Sequence, residues 1–187
     1  MLDAAYLLRD MAIPVHEHGT VDLPLLRGDA AAHRKLFEGA VRGFFRHTLS
    51  GQGWDVRARI LRWKPSEEPE PSFIPVMKTD VTIEHPAHKR RIVVETKFTD
   101  ALVDRDGKIT IDTSYLYQLY AYLASQSGFG DNAADTADGV LLFVKTSNRE
   151  LFTAEKVIQG HRIRFLSVDL SAAATDIRAR WLQCIQD

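Results

Sequence analysis

Arg91-Ile-Val-Val-Glu-Thr-Lys-Phe98 is the stretch from which the rest of the chain is read. Ile92, Val93 and Val94 are consecutive and β-branched, which suits a strand covered on both faces. Glu95 and Lys97 then arrive where such a strand should stay apolar. A side-chain period of two puts Glu95 and Lys97 on one face and turns the Thr96 side chain away, leaving its carbonyl available. Upstream, Phe73 to Glu84 reads as a strand carrying Asp80, and His85-Pro-Ala-His-Lys89 as the turn joining the two strands into an antiparallel hairpin. Two carboxylates and an ammonium can therefore converge.

Downstream, Asp104-Arg-Asp-Gly107 marks a further turn, and Ser114 can cap a helix from Tyr115 to about Ser127. Gly128 to Asp138 reads as a flexible connection. Gly139-Val-Leu-Leu-Phe-Val-Lys145 and Arg162 to Val168 suit strands buried on both faces, and Ser171 can cap a closing helix through Gln183. On the other side, Leu36, Phe37, Ala40, Val41, Phe44, Phe45 and Leu49 recur at steps of three and four, which predicts an amphipathic helix over 30–49. Gly51-Gln-Gly53 ends it. Val56, Ala58 and Ile60 alternate with Arg57 and Arg59 as in a half-buried strand, and Pro65 to Ser72 reads as a mobile loop. Residues 1–27, with Pro14, Gly19 and Pro24, read as an irregular N-terminal arm before one domain over 28–187. The order of elements predicts an α/β fold, a mixed β-sheet flanked by helices.

A chain of 187 residues, 45% hydrophobic and 26% charged, can bury a core, so disorder throughout is excluded. No apolar run approaches the roughly 20 residues of a membrane helix. The first ten residues place no basic group before their short apolar run, so a secretory leader is not expected and a cytoplasmic protein without a membrane partner is. The lone Cys184 excludes an internal disulfide and a four-cysteine zinc site. Two histidine pairs, His16 with His18 and His85 with His88, lack the further ligands a structural zinc needs.

Lys and Arg number 24 against 25 Asp and Glu, which argues against nucleic-acid or membrane binding by bulk charge. The distribution is uneven. From Arg27 to Lys64 bases outnumber acids, with Arg42, Arg57 and Arg59 as candidate DNA contacts, whereas Phe98 to Asp138 is acidic. On charge alone, a solvated helix face followed by a solvated strand face is the plainer account of the basic stretch.

Asp80 and Glu95 offer only oxygen ligands, which suits magnesium, with manganese as a substitute. Such an ion acidifies a bound water and neutralises phosphate charge, and Lys97 can orient that water or share the developing charge. An exposed Glu-Lys pair on an edge strand is the plain alternative. Gln118 and Tyr122, spaced i, i+4, align an amide and a phenol on one helix face that can meet water, phosphate or sugar. Packing tyrosines with an exposed Gln118 would account for the same pattern.

Asp80, Glu95-Thr-Lys97 and Gln118-x-x-x-Tyr122, in this order, resemble the PD-(D/E)xK nucleases with a RecB-like QxxxY motif. With Leu36-Phe-Glu-Gly-Ala-Val-Arg42, Val94-Glu-Thr-Lys-Phe98 and Leu116-Tyr-Gln-Leu-Tyr-Ala-Tyr122, the resemblance narrows to McrC, the nuclease subunit of McrBC-type modification-dependent restriction systems. It covers about residues 1–145. It implies a restriction-endonuclease-like core in which Asp80, Glu95 and the Thr96 carbonyl bind the metal, Lys97 is the catalytic lysine, and Gln118 and Tyr122 form the accessory motif. Glu38 matches an acid that some members add to the metal shell, a solvated acid beside Arg42 being the alternative. Thr79 stands where the superfamily's name has proline, a position bearing no ligand.

The resemblance further implies a magnesium-dependent DNA endonuclease working with a McrB-like AAA+ GTPase, and a homodimer when both strands are cut. McrC proteins carry a substantial N-terminal region that engages the GTPase, so a truncated or minimal homologue, or an expressed domain, is expected. Methylated cytosine is recognised by the partner, leaving this chain mainly phosphate contacts. Two other readings stay open: a catalytically silent nuclease-fold module that docks on the GTPase or DNA, and a stand-alone DNA repair nuclease.

Overall fold

In the computed structural model, which describes residues 30–63, 73–105, 107–146 and 150–186, the elements are α1 (Ala30–Thr48), β1 (Asp55–Arg57), β2 (Ile60–Leu61), β3 (Met77–Lys78), β4 (Val81–His85), β5 (Arg90–Lys97), β6 (Val103–Arg105), β7 (Lys108–Thr110), α2 (Thr113–Ala124), α3 (Asn132–Asp135), β8 (Asp138–Val144), β9 (Thr153–Ile158), β10 (His161–Val168) and α4 (Ala174–Leu182). The N-terminal arm over 1–27 and the Pro65 to Ser72 loop lie outside the described residues. Six strands form a mixed sheet in the order β1-β4-β5-β8-β10-β9, and β2–β3 and β6–β7 are separate ribbons. β8 pairs in parallel with both β5 and β10, and the outer pairs are antiparallel. The protein is thus α/β, with helices on both sides of the sheet.

The apolar strands lie in the middle because each of their faces meets a helix. Ile92, Val94 and Leu142 pack with Phe37, Val41, Phe45 and Trp181 of α1 and α4. Val93, Leu141, Phe143, Ile163 and Phe165 pack with Leu119, Tyr122 and Leu123 of α2. Burying a side chain such as Phe37 contributes about 1.5–3 kcal/mol. Gly139 lets α2 approach closely, since a Cβ there would stand 2.9 Å from a Leu119 methyl. Among the described residues, no helix is long and apolar enough to cross a membrane.

Several local expectations change. The strand expected over 73–84 is two, β3 and β4, because the chain bends at Thr79 and Asp80. The Thr79 N–H donates to the Arg59 carbonyl, its hydroxyl accepts from the Arg59 N–H, and the β2–β3 ribbon peels away from the sheet. For the same reason the alternation from Val56 to Ile60 breaks after Arg57, leaving Ile60 exposed. Asp112, not Ser114, caps α2, accepting from the Ser114 N–H. The connection after Gly128 contains α3, capped by Asp131. Ser171 donates to Asp169 and leaves α4 without a side-chain cap. Instead, Arg164 donates to the carbonyls beyond the other end of α4, those of Gln183, Cys184 and Gln186. β9 was not expected: Glu155, Lys156 and Val157 are exposed on an edge strand, where no alternation is enforced.

Candidate metal and phosphate site

The site forms where β5 outruns β4. Their pairing starts at Val81 opposite Val94, so Glu95, Thr96 and Lys97 continue past the first β4 residue with only β8 alongside. Asp80, at the bend just before β4, fills the gap: its Oδ2 accepts from the Thr96 N–H at 2.8 Å and from the Thr96 hydroxyl at 2.6 Å. Thr96 therefore contributes more than a carbonyl, because its side chain clamps one oxygen of Asp80. From α1, Arg42 donates to the Asp80 carbonyl at 2.8 Å and to Glu38 at 2.6 Å.

Glu95 and Lys97 share the face of β5 that meets α2, as the period of two requires. The ammonium donates to Glu95 Oε1 and to Gln118 Oε1, each at 2.8 Å, and lies 4.7 Å from the centre of the Tyr115 ring. Gln118 in turn donates from Nε2 to the Tyr122 hydroxyl at 2.7 Å. Glu95 is 3% exposed, and its Oε2 is buried without a hydrogen-bond partner.

Burial, joined by the charge of Asp80, pushes the Glu95 carboxyl up to about 7, against the opposing pull of Lys97. Asp80 is also raised, first by burial and then by the charge of Glu38, while its two bonds from Thr96 work the other way. Burial raises the Tyr122 phenol to about 12. For Glu95 the folded state holds its proton more tightly than the unfolded chain, so the stabilisation is complete below the ordinary carboxylate range and is lost as pH rises through about 7. The metal-free protein should lose about 3 kcal/mol over that window, and Glu95→Gln should flatten the loss. Urea midpoints between pH 4.5 and 8 check this; a wild-type midpoint that stays level or climbs would rule it out.

Two acids within electrostatic reach of each other, one with an unpartnered buried oxygen, fit a hard divalent cation of the magnesium class. Among the described residues, no group of three or more His, Cys, Asp or Glu side chains is placed to hold a metal ion. Glu38 is held by Arg42.

No protein-family model and no curated protein matches this chain.

Of the candidate DNA contacts, Arg42 is turned inward to Asp80 and Glu38, while Arg57 pairs with Asp55 at 2.7 Å and Arg59 bridges Asp55 and Glu84. Three contributors to the site were not expected from the sequence: the Thr96 hydroxyl, the Arg42 bond to the Asp80 carbonyl, and Tyr115. Only Tyr115 had a visible signal, its i, i+3 spacing to Gln118 on the same helix.

Proposed function

We propose that this chain is a magnesium-dependent nuclease with a restriction-endonuclease-like PD-(D/E)xK core, hydrolysing DNA phosphodiester bonds. The observation that carries this is the Glu95 carboxylate: buried beside Asp80, one oxygen on Lys97 and the other on nothing. An unpaired buried acceptor is costly, and a cation compensates it. Asp80, Glu95 and the Thr96 carbonyl would hold the ion, with manganese as a substitute. Once bound, it supplies an acidified water and neutralises charge on the phosphate.

The chain's own residues do the rest. Thr96 fixes one Asp80 oxygen and thereby orients the other. Lys97 spends two of its three donors on Glu95 and Gln118, and the third can meet a phosphate oxygen as negative charge gathers. Gln118, anchored by Tyr122, limits the lysine to that direction. The narrower proposal, the cutting subunit of a McrBC-type restriction complex with a McrB-like AAA+ GTPase, a homodimer when both strands are cut, draws on the sequence resemblance.

The test is Asp80→Ala, assayed for magnesium-dependent cleavage of single-stranded and duplex DNA and, by calorimetry, for manganese binding. Both should disappear. Cleavage persisting at the wild-type rate would remove the catalytic assignment.

A further inference from the structure

On the α2 side of the sheet, the helix lies mainly over β8 and β5. Beyond it run two cross-strand rows, Asp55–Glu84–Arg91, charged throughout, and Arg57–Thr82–Val93, polar except at Val93. Above them is a cleft of about 540 Å³ whose lining includes Arg57, Arg59, Arg91, Val93, Tyr122 and Gln126. It adjoins the candidate metal site in two ways. Val93 precedes Glu95 by two residues on the same face, roughly 7 Å along the strand. Tyr122 lines the cleft and also holds Gln118, the partner of Lys97.

The charges decide what this cleft suits. Arg57 is paired with Asp55, Arg59 with Asp55 and Glu84, and Arg91 with Glu84 and Asp131 at 2.8 Å each. Each guanidinium is thus balanced by a carboxylate, so the cleft is a poor sink for a bare phosphate. Its lining combines instead the apolar Val93, the aromatic Tyr122, the paired guanidinium groups and the amide of Gln126. Gln126 donates to the Arg62 carbonyl at 3.1 Å, which leaves its side-chain oxygen as an acceptor. A flat group with apolar faces and a hydrogen-bonding rim matches that lining, and unpaired bases are bound in this way, by stacking on aromatic and guanidinium planes and by their exposed edges. A stacked and paired base in a duplex cannot enter such a recess.

We infer that the cleft between β1, β4, β5 and α2 receives an unpaired base of the substrate strand, next to the phosphate held at Asp80 and Glu95. The inference rests on the nuclease reading for the identity of that strand. The cleft accommodates the base adjoining the cut and does not read sequence. The substrate class is accordingly DNA that is single-stranded, frayed or opened at the point of cleavage.

The experiment is anisotropy of the full chain in EDTA, where cleavage plays no part, with three labelled probes: a single-stranded oligonucleotide, the blunt duplex of the same sequence, and a fully abasic strand of equal length. The intact single strand should bind at least about tenfold more tightly than the other two. Gln126→Ala and the rim variant Ile60→Glu should each weaken single-strand binding about fivefold or more. Equal affinity for the duplex, equal affinity for the abasic strand, or less than a twofold loss in both variants overturns the inference. Cleavage in magnesium, measured on wild type and Asp80→Ala, judges the nuclease reading separately. Base-dependent binding without cleavage would leave the cleft standing and that reading fallen; cleavage without base-dependent binding would do the reverse.

Discussion

Lys97→Met is expected to lower magnesium-dependent DNA cleavage by about 10²–10³-fold, the usual effect of removing one donor aimed at developing charge, while the chain stays folded. Removing one partner of a buried ion pair ordinarily costs about 3–5 kcal/mol, because the other charge is left uncompensated. Glu95 has a way out: its carboxyl already titrates at about 7, and Lys97 is among the influences holding it down. Without the ammonium, Glu95 takes a proton at neutral pH and the penalty is capped at about 1–2 kcal/mol. The Gln118 oxygen loses its donor but keeps an anchored amide through Tyr122. Cleavage rates and urea melts at pH 7 check both the activity and the fold. Undiminished cleavage would show that Lys97 does not act on the phosphate, and a loss of fold would show that Glu95 stays ionised.

Trp181→Ala should destabilise the protein by about 3–5 kcal/mol, a large share of what a domain of this size possesses. Trp181 is fully buried in α4, with ring centres 5.2 Å from Phe44 and 6.4 Å from Phe37 on α1. Truncation leaves a cavity between two helices that meet the sheet from one side. Trp181→Phe should cost far less, since the indole N–H has no hydrogen-bond partner and removing it relieves an unsatisfied donor. The effect should also reach the site, because α1 carries Arg42, whose guanidinium holds the Asp80 carbonyl. Denaturation midpoints of the two variants provide the check; a loss below about 1 kcal/mol for the alanine variant would mean that the helix pair repacks.

Much of the fold was legible where a single rule governed a long segment. The apolar step of three and four marked α1, and a continuous apolar run marked β8 and a shorter one β5, because both faces of these strands are covered. Short or half-exposed elements escaped. β9 meets one neighbour and solvent, so its sequence is free to be charged. The break before Asp80 was invisible because Thr79 is as good a strand residue as any, and only the bonds from Arg59 bend the chain there.

At the candidate site the division is similar. Local periodicity alone requires Glu95 and Lys97 to share a face, and Gln118 and Tyr122 to share another, since covalent geometry dictates side-chain direction within an element. Which groups meet across elements depends on where one strand stops beside another. β4 begins only opposite Val94, so the Asp80 carboxylate takes the Thr96 N–H, and α2 lands where its Gln118 oxygen reaches Lys97. Periodicity acts between neighbours in the chain, whereas strand ends and helix docking are settled by packing between segments far apart in it. That packing also leaves one oxygen of Glu95 buried and unpartnered.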